Sequence, residues 1–136
     1  MPKRLKYKYH HTGTVPALPS DCVLVFGSNE RGLHRTGTAE VAAYHYGAQS
    51  DVFAGITGRS YAIPVKDRFI RLLDLNTIRK YVAHFIEYTH NRPDVKFWVC
   101  DMATEKREYK PYNIAPLFKG CNTNCVFPES WKPYLR

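Results

Sequence analysis

The chain has 136 residues, of which 44% are hydrophobic and 24% charged, enough for one domain with a real core and too balanced for a disordered or fibrous protein. Its net charge of +8 and pI near 9.4 favour acidic partners, whether a dinucleotide-like small molecule, nucleic acid or an acidic protein, without choosing among them. There is no signal peptide and no apolar run long enough to span a bilayer, so the expectation is a cytoplasmic protein with reduced thiols and no membrane partner.

Residues 2–9, PKRLKYKY, mix basic and apolar positions, as in an edge strand blunted by lysines or a flexible basic arm. Gly13, Pro16 and Pro19 then punctuate a loop. Residues 1–21 are thus read as strand or arm plus loop, and 22–136 as a single α/β domain. Val23, Leu24, Val25 and Phe26 form an unbroken apolar run, suited to a strand covered on both faces of a parallel sheet. Gly27, Ser28 and Asn29 are expected to stop it, with glycines at 27, 32 and 37 letting the backbone turn and approach a ligand closely. A small-residue helix follows over 38–46, thinned by Ala39, Ala42 and Ala43 and ended by Gly47. The first amides of such a helix point outward and its macrodipole adds roughly half a positive charge, so a diphosphate fits there.

Residues 48–58 show no clear period, and Gly55 and Gly58 mark an exposed turn. SYAIPV reads as a short strand ending at Pro64. Lys66 and Asp67 lie just beyond it, in the same crevice as Asn29 if the two strands are parallel neighbours; a surface ion pair is the alternative. Asp74 caps a helix over 75–90, whose core face carries Ile78, Val82, Phe85, Ile86 and Thr89; Tyr81 and Tyr88 on it are read as packing or surface groups. Strands at 95–100 and 124–127 flank a short helix or turn at 112–118 that Pro116 keeps brief, and Trp131 and Leu135 pack back on the body. The expected fold class is α/β, three layers, with a mixed sheet of about five or six strands between helices.

Asn29 is the first candidate for function, because an uncharged amide at the carboxyl end of a central strand both donates to and accepts from a ribose hydroxyl; a turn former is the alternative. His34, in the turn before the helix, is a candidate proton acceptor or phosphate contact. Arg35 either binds phosphate bidentately or blocks the pocket. Glu30, Asp67 and Asp101 are the acid and base candidates, and spacing fixes no pair of them. No nucleophilic triad is indicated, since Ser28 lies outside a G-x-S-x-G elbow. Cys22 and Cys100 read as buried thiols. Cys121 and Cys125 have a C-x3-C spacing with no second pair, so no metal and no cofactor is expected.

FGSN at 26–29, GLH at 32–34, GTA at 37–39, YGA at 46–48, SYAIPVKD at 60–67 and IAPLF at 114–118 together resemble a small subfamily of macro-domain-like proteins of bacteria and their viruses. The resemblance covers about residues 22–131. The macro superfamily binds ADP-ribose, and some members hydrolyse ADP-ribosyl linkages. The resemblance implies that Asn29 matches the asparagine contacting the distal ribose. It departs at two places: Arg35 stands where a glycine follows the histidine, and no glycine lies between Cys100 and Lys119, where the subfamily has a second Gly-rich loop. Either Lys106, Arg107 and Lys110 supply charge in place of amides, or the ligand has changed, or the pocket is lost.

The reading that follows is recognition of ADP-ribose or a related NAD-derived nucleotide, with hydrolysis of an ADP-ribosyl linkage secondary. Ligand-binding candidates are Gly27, Ser28, Asn29, Gly32, Arg35, Thr36, Gly37, Thr38, Ala39 and Lys66, and catalytic candidates are Asn29, His34 and Asp67. In a virus, the cytoplasm would be the host's. The alternative is a non-catalytic basic interaction module with a degenerate pocket, binding nucleic acid or an acidic protein through surfaces such as Lys3, Arg4, Lys6 and Lys8.

Overall fold

The computed structural model describes residues 6–11, 15–34, 37–49, 51–102 and 109–135. Six strands form one sheet in the order β1 (Lys8–His10), β6 (Cys125–Pro128), β5 (Lys96–Val99), β2 (Cys22–Asn29), β4 (Ser60–Lys66) and β3 (Gly55–Thr57). All neighbours are parallel except β3, which pairs antiparallel with β4 across the turn at Gly58 and Arg59. The N-terminal segment therefore contributes a true edge strand, though only from Lys8 to His10, and Lys8 carries the edge charge. Among the described residues no helix is long and apolar enough to cross a membrane.

The chain's alternation sorts side chains into two cores. From β2, Val23 and Val25 face one side, with Tyr61, Ile63 and Val65 of β4 and Phe97 and Val99 of β5. Helix α2 (Leu75–Asn91) lies on that face through Ile78, Val82, Phe85 and Thr89, with Phe118 and Trp131 completing the layer. Leu24 and Phe26 face the other side and meet Ala42 and Tyr46 at helix α1 (Gly37–His45). The result is the three-layer mixed α/β arrangement expected from the pattern. Asp74 caps α2 by accepting from the Thr77 amide at 2.7 Å. Near the C-terminus, α3 (Pro111–Ile114) passes into a 3-10 turn at Ala115–Phe118, and α4 (Lys132–Leu135) follows β6 and seats Leu135 in the core.

Several boundaries differ from the sequence reading. Gly27 and Ser28 do not stop β2, which runs on to Asn29: Gly27 stays in the ladder opposite Ile63, and a Cβ there would lie 3.3 Å from the Met102 sulfur. Glycine at 27 thus makes room for Met102 rather than for a turn. Pro64 does not end β4, because β3 reaches only as far as Ala62 and the β2 register shifts just after Ser28 opposite Pro64, so the missing amide falls at a bulge beside an open edge. β3 itself escaped the reading because three residues beginning with glycine carry no period.

The turn from β3 to β4 crosses the end of α1 at backbone contact. Gly58 has φ +56, and a Cβ there would lie 2.9 Å from both the Gly47 Cα and the Tyr46 carbonyl oxygen. Gly47 has φ +75, and the Arg59 amide donates to the Tyr46 carbonyl at 2.8 Å. Gly55 has φ +93 but open space around it, which separates backbone strain from collision. Gly55→Ala should therefore destabilise by about 1–2 kcal/mol and Gly58→Ala by about 3 kcal/mol or more in urea unfolding; equal effects would show that the crossing contact contributes nothing.

Candidate functional site

The five parallel strands deliver their carboxyl ends to one edge of the sheet. The connection leaving β2 runs through α1 toward β4, while the connection leaving β5 runs through α3 toward β6. β2 and β5 are adjacent, so their ends open a crevice at a topological switch point, the usual ligand position in such sheets. One wall is the loop after β2, described over residues 30–34, and on the other side the segment after β5 starts at Cys100 and Asp101. Arg35 and Thr36 in the first, and Lys106 and Arg107 in the second, lie outside the described residues.

The loop after β2 is built by two local devices. Gly32, at φ +77, allows its amide to bond back to the Asn29 carbonyl at 3.0 Å. The Asn29 side chain then clamps the loop: Nδ2 donates to the Leu33 carbonyl at 2.9 Å and Oδ1 accepts from the Leu33 amide at 3.1 Å. One Nδ2 hydrogen and one Oδ1 lone pair remain for a ligand. Asn29 acts as the turn former at the carboxyl end of β2. Ser28, expected as a ligand group, is buried and gives its hydroxyl to the Phe53 carbonyl at 2.6 Å.

His34 closes this loop onto the body. It is only 7% exposed, sits edge-on to Phe26 with ring centroids 5.2 Å apart, and Nε2 lies 3.0 Å from the Gln49 carbonyl. A carbonyl accepts only, so Nε2 carries the hydrogen, and in the neutral ring Nδ1 holds a lone pair. Nδ1 is buried with no hydrogen-bond partner. Gly37, Thr38 and Ala39 open α1, whose first-turn amides have no partner within the helix, and Thr38 and Ala39 are half-buried.

On the other side of β2, Lys66 pairs with Asn29 in parallel register and its carbonyl accepts from the Glu30 amide at 2.9 Å. The expected neighbourhood of Lys66, Asp67 and Asn29 therefore exists. Asp67, however, is engaged by its own turn: it accepts from the amides of Phe69 at 2.8 Å and Arg71 at 3.0 Å and pairs with the Arg71 Nε at 3.2 Å. The Arg71 and Phe69 amides hold its carboxyl below the usual range, and both carboxylate oxygens are engaged within the turn. Asp101 is exposed just past β5. Glu30 accepts from the Tyr81 hydroxyl at 2.5 Å; burial and that carboxylate push Tyr81 up to about 12, so it keeps its proton at neutral pH.

The sequence reading missed Arg31, Phe53, Arg68 and Phe69, which line open clefts of about 400 and 410 Å³ between the ends of β2 and β4. The legible signal was RFIR at 68–71, an aromatic and aliphatic pair between two arginines directly after a strand, where a turn needs no apolar residue. At the far side of the molecule Cys121 and Cys125 are both buried, and burial with the neighbouring thiol pushes Cys121 far up. Among the described residues no three His, Cys, Asp or Glu side chains gather to hold a metal ion.

Because the folded Asp67 titrates below an ordinary aspartate near about 3.9, the stability it contributes is fully present above that pH and is lost as pH falls through the lower folded value. Asp67→Asn should lower the melting temperature at neutral pH and flatten its fall on acidification; an unchanged acid limb would show that the turn does not depend on this charge. Compared with protein-family models, curated proteins and solved structures, the chain finds no match.

Proposed function

We propose that the protein is a macro-domain-like binder of ADP-ribose or a related NAD-derived nucleotide, held in the crevice between the ends of β2 and β5. The observation that carries this reading is the switch point itself, where a buried strand is followed by a glycine turn that bears a buried, unpartnered imidazole nitrogen and then by the first turn of α1. The diphosphate takes the amides of Gly37, Thr38 and Ala39. The ribose takes the remaining donor and acceptor of Asn29, and His34 Nδ1 receives a hydroxyl hydrogen. The blocks FGSN, SYAIPVKD and IAPLF point to the same ligand class through their resemblance to macro-domain-like proteins.

Binding is favoured over hydrolysis. A hydrolase needs a carboxylate or substrate phosphate free to activate water. Asp67 is engaged by Arg71 and the turn amides, and Glu30 by Tyr81.

Calorimetric titration of ADP-ribose into wild type and Asn29→Ala, at two salt concentrations, tests the reading. The expected result is saturable wild-type binding that weakens about tenfold or more in the variant, with circular dichroism showing both folded. No heat at millimolar ADP-ribose, with the wild type folded, sinks it.

A further inference from the structure

The clefts between β2 and β4 lie on the opposite side of the β2 loop from the proposed nucleotide crevice, and their chemistry differs. They share Arg31 and Arg68; one ends on Phe69 and the other on Phe53 and Glu30. Phe69 is 66% exposed and Phe53 40%. Arg68 and Arg71 lie over the Phe69 ring at 5.6 and 5.0 Å, but only Arg71 has a carboxylate partner. No carboxylate pairs with Arg31 or Arg68 among the described residues. The turn holding Phe69 is fixed by Asp67 and by Ile70 at φ +63, a conformation a β-branched residue avoids unless its surroundings impose it.

We infer that this surface binds single-stranded nucleic acid across at least one dinucleotide step, with Arg31 and Arg68 on the phosphodiester and Phe69 and Phe53 stacking the two flanking bases. The alternation of ring, cation pair and ring matches base, phosphate and base; a mononucleotide would use only one of the two rings. Unpaired arginines suit phosphate oxygens, whose charge and forked geometry they complement, and exposed aromatic rings accept any base face. Glu30 lies at the Phe53 end and repels phosphate, so a base edge takes that position; its carboxylate accepts an exocyclic amine while bonded to Tyr81. A duplex buries its base faces and gains only the charge term. The net charge of +8 favours approach of the strand.

Fluorescence anisotropy with the full chain and a labelled oligodeoxycytidylate of about ten nucleotides, whose bases carry the exocyclic amine that Glu30 accepts from, tests this without ADP-ribose, so failure of the nucleotide reading leaves it standing. Phe69→Ala, at an exposed position, should keep the wild-type melting temperature and weaken binding about tenfold. Arg68→Ala should weaken it and reduce the log–log salt slope by about 0.7. Lys119→Ala, which removes one charge near the far end of α2, should change affinity less than Arg68→Ala. The proposal is overturned by absence of saturable binding, by equal affinity for a duplex, or by equal affinity of wild type and Phe69→Ala; the last two leave only diffuse charge attraction.

Discussion

Everything at the carboxyl edge of the sheet depends on the pairing of β2. From Cys22 to Phe26 its residues are buried, so its backbone donors and acceptors have no access to water and must be satisfied by strands on both sides. β5 and β4 supply them, both in parallel. Parallel neighbours cannot be joined by a tight hairpin and require crossovers, which here place α1 over one face and α2 over the other. Once those crossovers are in place, the carboxyl ends of β2, β4 and β5 share one edge, and the loops leaving them face the same solvent.

How closely α1 approaches is set by the smallest side chains available. Ala42 is buried against Leu24 and Phe26, and the helix ends where Gly47 meets Gly58 at backbone distance. A wider helix or a branched residue in the hairpin would lift α1 from the sheet and carry its first turn away from Asn29. His34 adds a second restraint by joining the β2 loop to Gln49 beyond the helix. Helix α1 and the end of β2 are thus held relative to each other by packing and by a hydrogen bond within the protein, the kind of restraint that would preorganise the proposed anion site.

The parts of this architecture legible in the sequence were those governed by periodicity. The core face of α2 and its Asp74 cap, the continuous apolar run of β2, and the C-terminal seating of Trp131 and Leu135 follow from patterns that burial imposes. What the sequence hid was decided by tertiary neighbours. Gly27 looks like a turn residue, yet its missing side chain answers to Met102; Pro64 looks like a strand end, yet lies where a bulge and a short β3 remove the need for its amide. At the candidate site, the position of Asn29 and His34 in the loop after β2 was legible because that loop directly follows a buried strand with an unmistakable apolar run. That the Asp67 carboxylate is taken by Arg71, and that Arg31 shares clefts with Phe53 and Phe69, depend on loop paths that no period encodes.

The two proposed binding surfaces share one wall, the loop from Glu30 to His34, and use opposite physics. In the proposed β2–β5 crevice the ligand would meet backbone and side-chain amides as donors and the His34 Nδ1 lone pair as an acceptor, contacts that screening by salt affects little because few mobile counterions are displaced. Between β2 and β4 the attraction comes from exposed guanidinium groups and displaces counterions from a polyanion. The Asn29 clamp makes the shared wall stiff, and its outer residues Glu30 and Arg31 face the strand cleft while Asn29 and His34 belong to the crevice. A rigid wall with unlike faces would let one short loop serve the proposed diphosphate on one side and the proposed phosphodiester chain on the other. Neither ligand would need to displace the groups that hold the other.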